Sequence, residues 1–200
     1  MKKIITLLLV VALLALPMVS YAAFPDVPED HWAAQYINEL TSKGVINGYT
    51  DGNYGPNDTL TNGQFLKLIL TASFENPRFE IVEPEFDHWA AVYLKMAQNY
   101  HIVNEEDIVI NKDNIDEPIN RLKVVEILSL CDTKIRRNGQ KTMALKFKDT
   151  INLNNKEAAL LSHAVASNVI SGYTDGTFKP GNNLTRAEAA KILSVYMSIK

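Results

Sequence analysis

Apolar residues recur at steps of three and four in three separate stretches of the chain, the spacing of one face of an α-helix. Phe65, Leu68, Ile69 and Ala72 make the first stripe. Val124, Ile127, Leu128 and Cys131 make the second, and Ala189, Ile192, Leu193, Tyr196 and Met197 the third. A similar stripe precedes each one: Ala33, Tyr36, Ile37 and Leu40, then Ala90, Tyr93, Leu94 and Ala97, then Leu160, Leu161 and Ala164. Polar and glycine-bearing segments separate the two members of each pair. The pattern predicts a mainly α fold of three helix-loop-helix repeats spanning residues 23–72, 84–132 and 146–200. A single pair of about fifty residues buries too little apolar surface to be secure alone, so the three are expected to share one core. The links Ser73 to Pro84 and Asp132 to Leu145 are polar or proline-bearing and belong on the surface.

The first residues read differently. Lys2 and Lys3 precede the apolar run Ile4 to Leu16, and Pro17 leads into Ser20, Tyr21 and Ala22. This is the pattern of a secretory signal peptide over residues 1–22, cut after Ala22 or Ala23. The run is shorter than the roughly 20 residues of a spanning helix. Losing both lysines makes the formal charge of −3 more negative by two, which leaves no basic field for nucleic acid and no polybasic hold on a membrane. Cys131 is the one cysteine, so no intrachain disulfide forms, and it falls in a core slot of its helix. His31, His88, His101 and His163 show no metal-ligand spacing. No metal, cofactor or catalytic residue is expected.

Two loops carry Asp-Gly turn chemistry, YTDGNYGP from Tyr49 and YTDGTFKP from Tyr173, with glycine supplying positive φ. Thr185-Arg186-Ala187-Glu188 is a capping box that starts a helix, and Thr61 with Gln64 forms a second. Arg186 then falls at the first helical position, where a cation opposes the helix dipole at about 0.3–1 kcal/mol. A guanidinium beside uncapped N–H groups there would suit a carboxylate, which it can grip with two parallel bonds. A solvated arginine lying over apolar neighbours is the bland alternative. Asn62 stands at the matching place in the first repeat and brings no charge.

These residues resemble the S-layer homology (SLH) domain, whose pattern is F-x-D, HWA, G-x-x-x-GY-x-DG-x-F-x-P and TRAE. Phe24, Asp26, His31, Trp32, Ala33, Gly44, Gly48, Tyr49, Asp51, Gly52 and Pro56 carry it first. Phe147, Asp149, Gly172, Tyr173, Asp175, Gly176, Phe178, Pro180 and Thr185 to Glu188 carry it again. The resemblance implies a pseudo-threefold spindle that holds surface proteins non-covalently on the secondary cell wall polymer, an anionic and often pyruvylated glycan, of a Gram-positive-type bacterium. It also implies grooves between repeats that use Arg186, Arg121, Trp32, Trp89, the loop glycines Gly48 and Gly172, and the acidic groups Asp26 and Asp149.

No repeat is complete. The first lacks the arginine, the second has lost GY-x-DG over Asn104 to Glu117, and the third has Asn155 and Lys156 for the His-Trp pair. If arginine meets the tryptophan of its own repeat, Arg121 joins Trp89. Pairing with the following repeat joins Arg186 to Trp32, and pairing with the preceding one joins both Arg121 to Trp32 and Arg186 to Trp89. Each tryptophan suits a sugar face or a core anchor equally. On this reading an arginine placed at Asn62 leaves binding unchanged or improves it.

Three function classes follow. The leading one is a non-catalytic wall-polymer binding module. The alternative is a degenerate scaffold serving as a structural or protein-interaction component of the cell surface, with another surface protein as partner, since no cargo domain is visible. A glycan hydrolase needs two carboxylates across a cleft, and Glu29, Asp30, Glu83 and Glu85 lie in turns or at helix starts where solvation and capping explain them.

Overall fold

The computed structural model describes residues 24–74, 82–104, 108–131 and 142–199. The expected leader and most of both links lie outside the described residues. The fold is mainly α, with helices α1 (Ala34–Ser42), α2 (Asn62–Ser73), α3 (Ala91–Asn99), α4 (Arg121–Cys131), α5 (Asn155–Ala166) and α6 (Arg186–Ile199). Among the described residues, β pairing is confined to isolated bridges, and no helix is long and apolar enough to cross a membrane.

Local chemistry sets the helix ends. Thr61 and Gln64 close a capping box on α2, and Asn154 and Glu157 close one on α5. On α6, the Glu188 N–H donates to Thr185 Oγ1 at 3.2 Å while the Thr185 N–H donates to Glu188 Oε2 at 3.0 Å. On α4 the Lys123 N–H donates to Asn120 Oδ1. Each such cap contributes about 1 kcal/mol. The first helix of every pair stops at a left-handed residue, Gly44, His101 or Asn168. Directly after it the chain turns inward and buries Val45 and Ile46, Ile102 and Val103, or Val169 and Ile170.

The helices do not pack within their own pairs. Instead α3 lies on α2, α5 on α4, and α1 reaches across the molecule to α6. Each first helix thus leans on the second helix of the preceding pair, and the last contact closes the ring. The second helices stand at the centre, where α2 also meets α4 and α6. They therefore bury more than the stripes predicted: Leu66, Leu70, Val125 and Ala190 are enclosed along with the expected positions. Cys131 and Met197, at the helix ends, are only partly covered.

A three-membered backbone ring marks the pseudo-threefold axis. The Leu60 N–H donates to the Leu184 carbonyl at 3.0 Å, the Leu184 N–H to Ile119 at 2.9 Å, and the Ile119 N–H back to Leu60 at 2.9 Å. All three side chains are buried. Each of these hydrogen bonds contributes modestly, about 1 kcal/mol, and together they tie the residues just before the three second helices to one another. Arg121 and Arg186 stand two residues beyond Ile119 and Leu184.

Candidate functional site

The first residues of α4 and α6 are arginines that cross to the next loop around the ring. Arg186 donates from Nε to the Tyr54 carbonyl at 2.7 Å and from Nη2 to the Asn47 carbonyl at 2.9 Å. Its guanidinium lies over the Tyr49 and Tyr54 rings at 4.6 and 4.5 Å. Arg121 repeats this on the other loop, donating from Nε to Phe178 and from Nη2 to Ser171, both at 2.9 Å, between the Tyr173 and Phe178 rings. Such stacking adds about 1–2 kcal/mol when desolvated. Arg121 also meets Glu188 at 3.3 Å.

These arginines floor two grooves. One, of about 750 Å³, is lined by Arg121, the segment Asn168 to Thr174, Glu188, Lys191, Ile192 and Trp32, with Met143 and Val165 at its side. The other, of about 210 Å³, is lined by Arg186, Asn47, Gly48, Tyr49, Gln64, Lys67, Leu68 and Trp89, among others. Each groove draws on all three helix pairs. The geometry joins Arg121 with Trp32 and Arg186 with Trp89, the pairing with the preceding repeat.

Trp32 and Trp89 are 53% and 50% exposed, so neither ring is a core anchor. His31 and His88 hold the turn beside them: each Nδ1 accepts a backbone N–H two residues on, from Ala33 at 3.2 Å and Ala90 at 3.1 Å. His88 also presents Nε2 to Asp116 at 3.1 Å. An exposed indole backed by such a turn offers a flat apolar face to a sugar ring.

Several expectations need correction. The N–H groups at the start of α6 are not free for an anion, because Arg186 and Ala187 donate theirs to the carbonyls of Asp58 and Pro56. On α4, Arg121 and Leu122 likewise donate to Asn182 and Pro180. What the arginine side chains offer a ligand is therefore guanidinium edge, not helix terminus. Gly48 and Gly172 do line the grooves, but for a packing reason: a Cβ at either would fall 2.4 Å from Phe24 Cε1 or 2.2 Å from Phe147 Cε1. The positive φ of the Asp-Gly turns belongs to Gly52 and Gly176.

Asp26 and Asp149 do not line either groove. Asp26 accepts the N–H groups of Tyr54 and Gly55, and Asp149 those of Phe178 and Lys179, at 2.7–2.8 Å. Burial pushes both carboxyls up, but the paired backbone donors outweigh it and their pKa values end below the ordinary 3.8. They are loop clamps, holding the residues whose carbonyls receive the arginines. Burial likewise drives the Tyr54 hydroxyl up to about 12, and burial with a 2.6 Å bond to Glu188 does the same for Tyr173. Both phenols stay neutral beside their arginines.

Asn62, at the third matching position, is 1% exposed and donates from Nδ2 to the Asn114 carbonyl at 2.8 Å. Its Oδ1 is buried with no hydrogen-bond partner among the described residues. The loop it meets lacks an aromatic pair like Tyr49 with Tyr54 or Tyr173 with Phe178. That absence was the signal that sequence reasoning missed. Aromatic pairs stand in the first and third loops and arginines in the second and third repeats, an offset satisfied only if each arginine enters the following loop. Among the described residues no group of three or more His, Cys, Asp or Glu could hold a metal ion.

The S-layer homology domain pattern matches residues 23–66 and 161–190. The chain is 29% identical over 180 residues to S-layer protein EA1 of Bacillus anthracis, covering 86% of this chain and 20% of that protein. It is 26% identical over 176 residues to an amylopullulanase of Thermoanaerobacterium thermosulfurigenes and 27% over 176 residues to exoglucanase XynX of Acetivibrio thermocellus. Each match covers 85% of this chain but only 9% and 16% of those proteins. The chain thus spans about a fifth or less of these relatives, and the shared stretch is common to S-layer proteins and hydrolases alike, so the likeness carries no hydrolase chemistry. By these matches, and by the motifs that build its two grooves, the chain is similar to the S-layer homology domain over those two stretches.

Proposed function

We propose that this chain is a non-catalytic cell-wall binding module that attaches, without covalent chemistry, to an anionic secondary cell wall polymer through its two inter-pair grooves. The observation that carries the reading is the convergence in each groove of a fixed arginine, a neighbouring lysine and a half-exposed tryptophan, brought from all three helix pairs. Cation and flat aromatic face together suit a charged sugar. An acidic protein meeting an acidic polymer gains no global attraction, so local sites supply the affinity. A pyruvate ketal is the carboxylate that family likeness favours. The place of action is the cell wall or cell surface.

The test is cosedimentation of residues 23–200 with wall sacculi before and after chemical removal of the secondary polymer. Binding should vanish on the stripped wall. Undiminished binding to bare peptidoglycan contradicts the reading.

A further inference from the structure

We propose that the Asn47–Gly48 step, in the loop after α1, is a site of spontaneous deamidation, and that its conversion to isoaspartate disables the Arg186 groove. The second half rests on the wall-polymer reading; the first does not.

An asparagine followed by glycine carries its own electrophile and nucleophile. The Gly48 nitrogen gives its proton to hydroxide and attacks Asn47 Cγ. The N–Cγ bond forms, the Cγ–Nδ2 bond breaks, and ammonia leaves with a proton from water, which restores the hydroxide. Water then opens the resulting succinimide at either carbonyl and leaves aspartate or isoaspartate at position 47. Glycine favours the ring closure because no Cβ hinders the approach.

The chain has three such pairs, Asn47–Gly48, Asn62–Gly63 and Asn138–Gly139, and the last lies outside the described residues. The structure separates the other two. Asn62 is 1% exposed and donates from Nδ2 to the Asn114 carbonyl, while the Gly63 N–H donates to the Ile115 carbonyl at 2.8 Å. Reaction there requires the start of α2 to open first. Asn47 is exposed, and among the described residues neither its side-chain amide nor the Gly48 N–H has a hydrogen-bond partner.

The Asn47 carbonyl accepts from Arg186 Nη2 at 2.9 Å. Negative charge on the deprotonated Gly48 nitrogen is shared with that oxygen, so the guanidinium stands where charge develops. In the other groove Arg121 Nη2 makes the same bond to the Ser171 carbonyl ahead of Gly172. Serine has no amide to close the ring, so the reactive step belongs to the Arg186 groove.

Isoaspartate runs the main chain through the former side chain and adds a carbon and a negative charge. The loop has no slack for it. A Cβ at Gly48 would fall 2.4 Å from Phe24 Cε1 and 2.7 Å from the Asn53 carbonyl oxygen, which also accepts the Tyr49 N–H at 2.7 Å. Gly48 and Tyr49, both lining the groove, must shift, and the oxygen that held Nη2 leaves the main chain.

Residues 23–200 are incubated in mildly alkaline buffer, folded and in urea. Peptide mapping by mass spectrometry follows the amide-to-acid change at each pair, and isoaspartyl methyltransferase labels the isoaspartate. In urea Asn47 and Asn62 should convert at similar rates; in the folded chain Asn47 should convert faster than Asn62 by about a hundredfold or more. The converted chain, separated by ion exchange, should bind polymer-bearing sacculi about tenfold or more weakly than the unconverted one, as when one of two linked sites is lost. Protection of Asn47 equal to that of Asn62 in the folded chain overturns the site. Conversion that leaves sacculus binding unchanged overturns its effect on the groove. Failure of the unconverted chain to bind sacculi overturns the wall-polymer reading and leaves the deamidation site standing.

Discussion

Arg186 and Tyr54, separated by 132 positions, hold each other twice: the arginine Nε donates to the tyrosine carbonyl at 2.7 Å, and the tyrosine hydroxyl donates to the arginine carbonyl at 3.0 Å. The pair ties the start of α6 to the loop after α1, which is the closing contact of the ring. An arginine that opposes its own helix dipole is thus stabilised by carbonyls and rings of another helix pair. The Nε and Nη2 edge of its guanidinium is spent on this structural tie.

Arg186→Ala should therefore lower stability as well as binding. It strands two carbonyl acceptors and opens space between two tyrosine rings, at about 2–3 kcal/mol. Arg186→Lys keeps a charge but cannot bridge both carbonyls with a planar fork. Chemical denaturation should rank wild type above lysine above alanine, and lysine should retain part of the binding to polymer-bearing sacculi.

Arg121→Ala should cost more, about 3–5 kcal/mol, because it leaves the largely buried Glu188 carboxylate without its partner. Pairing Arg121→Ala with Glu188→Gln should recover part of that loss. A denaturant midpoint for the double variant no higher than for the single one would count against the ion pair.

Asp26 and Asp149 set an acid limit. Their folded pKa values lie below the unfolded ones, so their stabilisation is complete above the ordinary carboxyl value of 3.8 and is lost as pH falls through the lower folded values. Thermal unfolding across that acidic range should show the loss. Asp26→Asn, which can accept from only one of the two N–H groups, should flatten the slope and cost about 1–3 kcal/mol at neutral pH.

Asn62→Arg should not restore a third groove. The side chain at 62 is enclosed against Asn114, and the loop it meets has no aromatic pair to receive a guanidinium. Stability should fall by a few kcal/mol through burial of an unpaired charge, with no gain in polymer binding. Of the two outcomes the sequence leaves open, unchanged or improved binding, the enclosure of position 62 selects the first.

The stripes from Phe65, Val124 and Ala189 were legible because helical periodicity is local, and the caps at Thr61 and Thr185 for the same reason. Who packs on whom was not, since α1 meets α6 through contacts more than a hundred positions apart. That blindness left three pairings of arginine and tryptophan open. It also hid that Asp26 and Asp149 face backbone donors rather than a ligand, because one aspartate looks like another until its partners are known. The aromatic pairs Tyr49 with Tyr54 and Tyr173 with Phe178 carried the missing information in the sequence itself.

The central claim is that the grooves, and not the fold at large, hold the wall polymer. Trp32 and Trp89 are half exposed, so the double variant Trp32→Ala, Trp89→Ala should unfold within a few degrees of the wild type. Its binding isotherm on polymer-bearing sacculi is the most direct test. The account predicts a dissociation constant raised by about thirtyfold or more. An isotherm that overlays the wild type would contradict it.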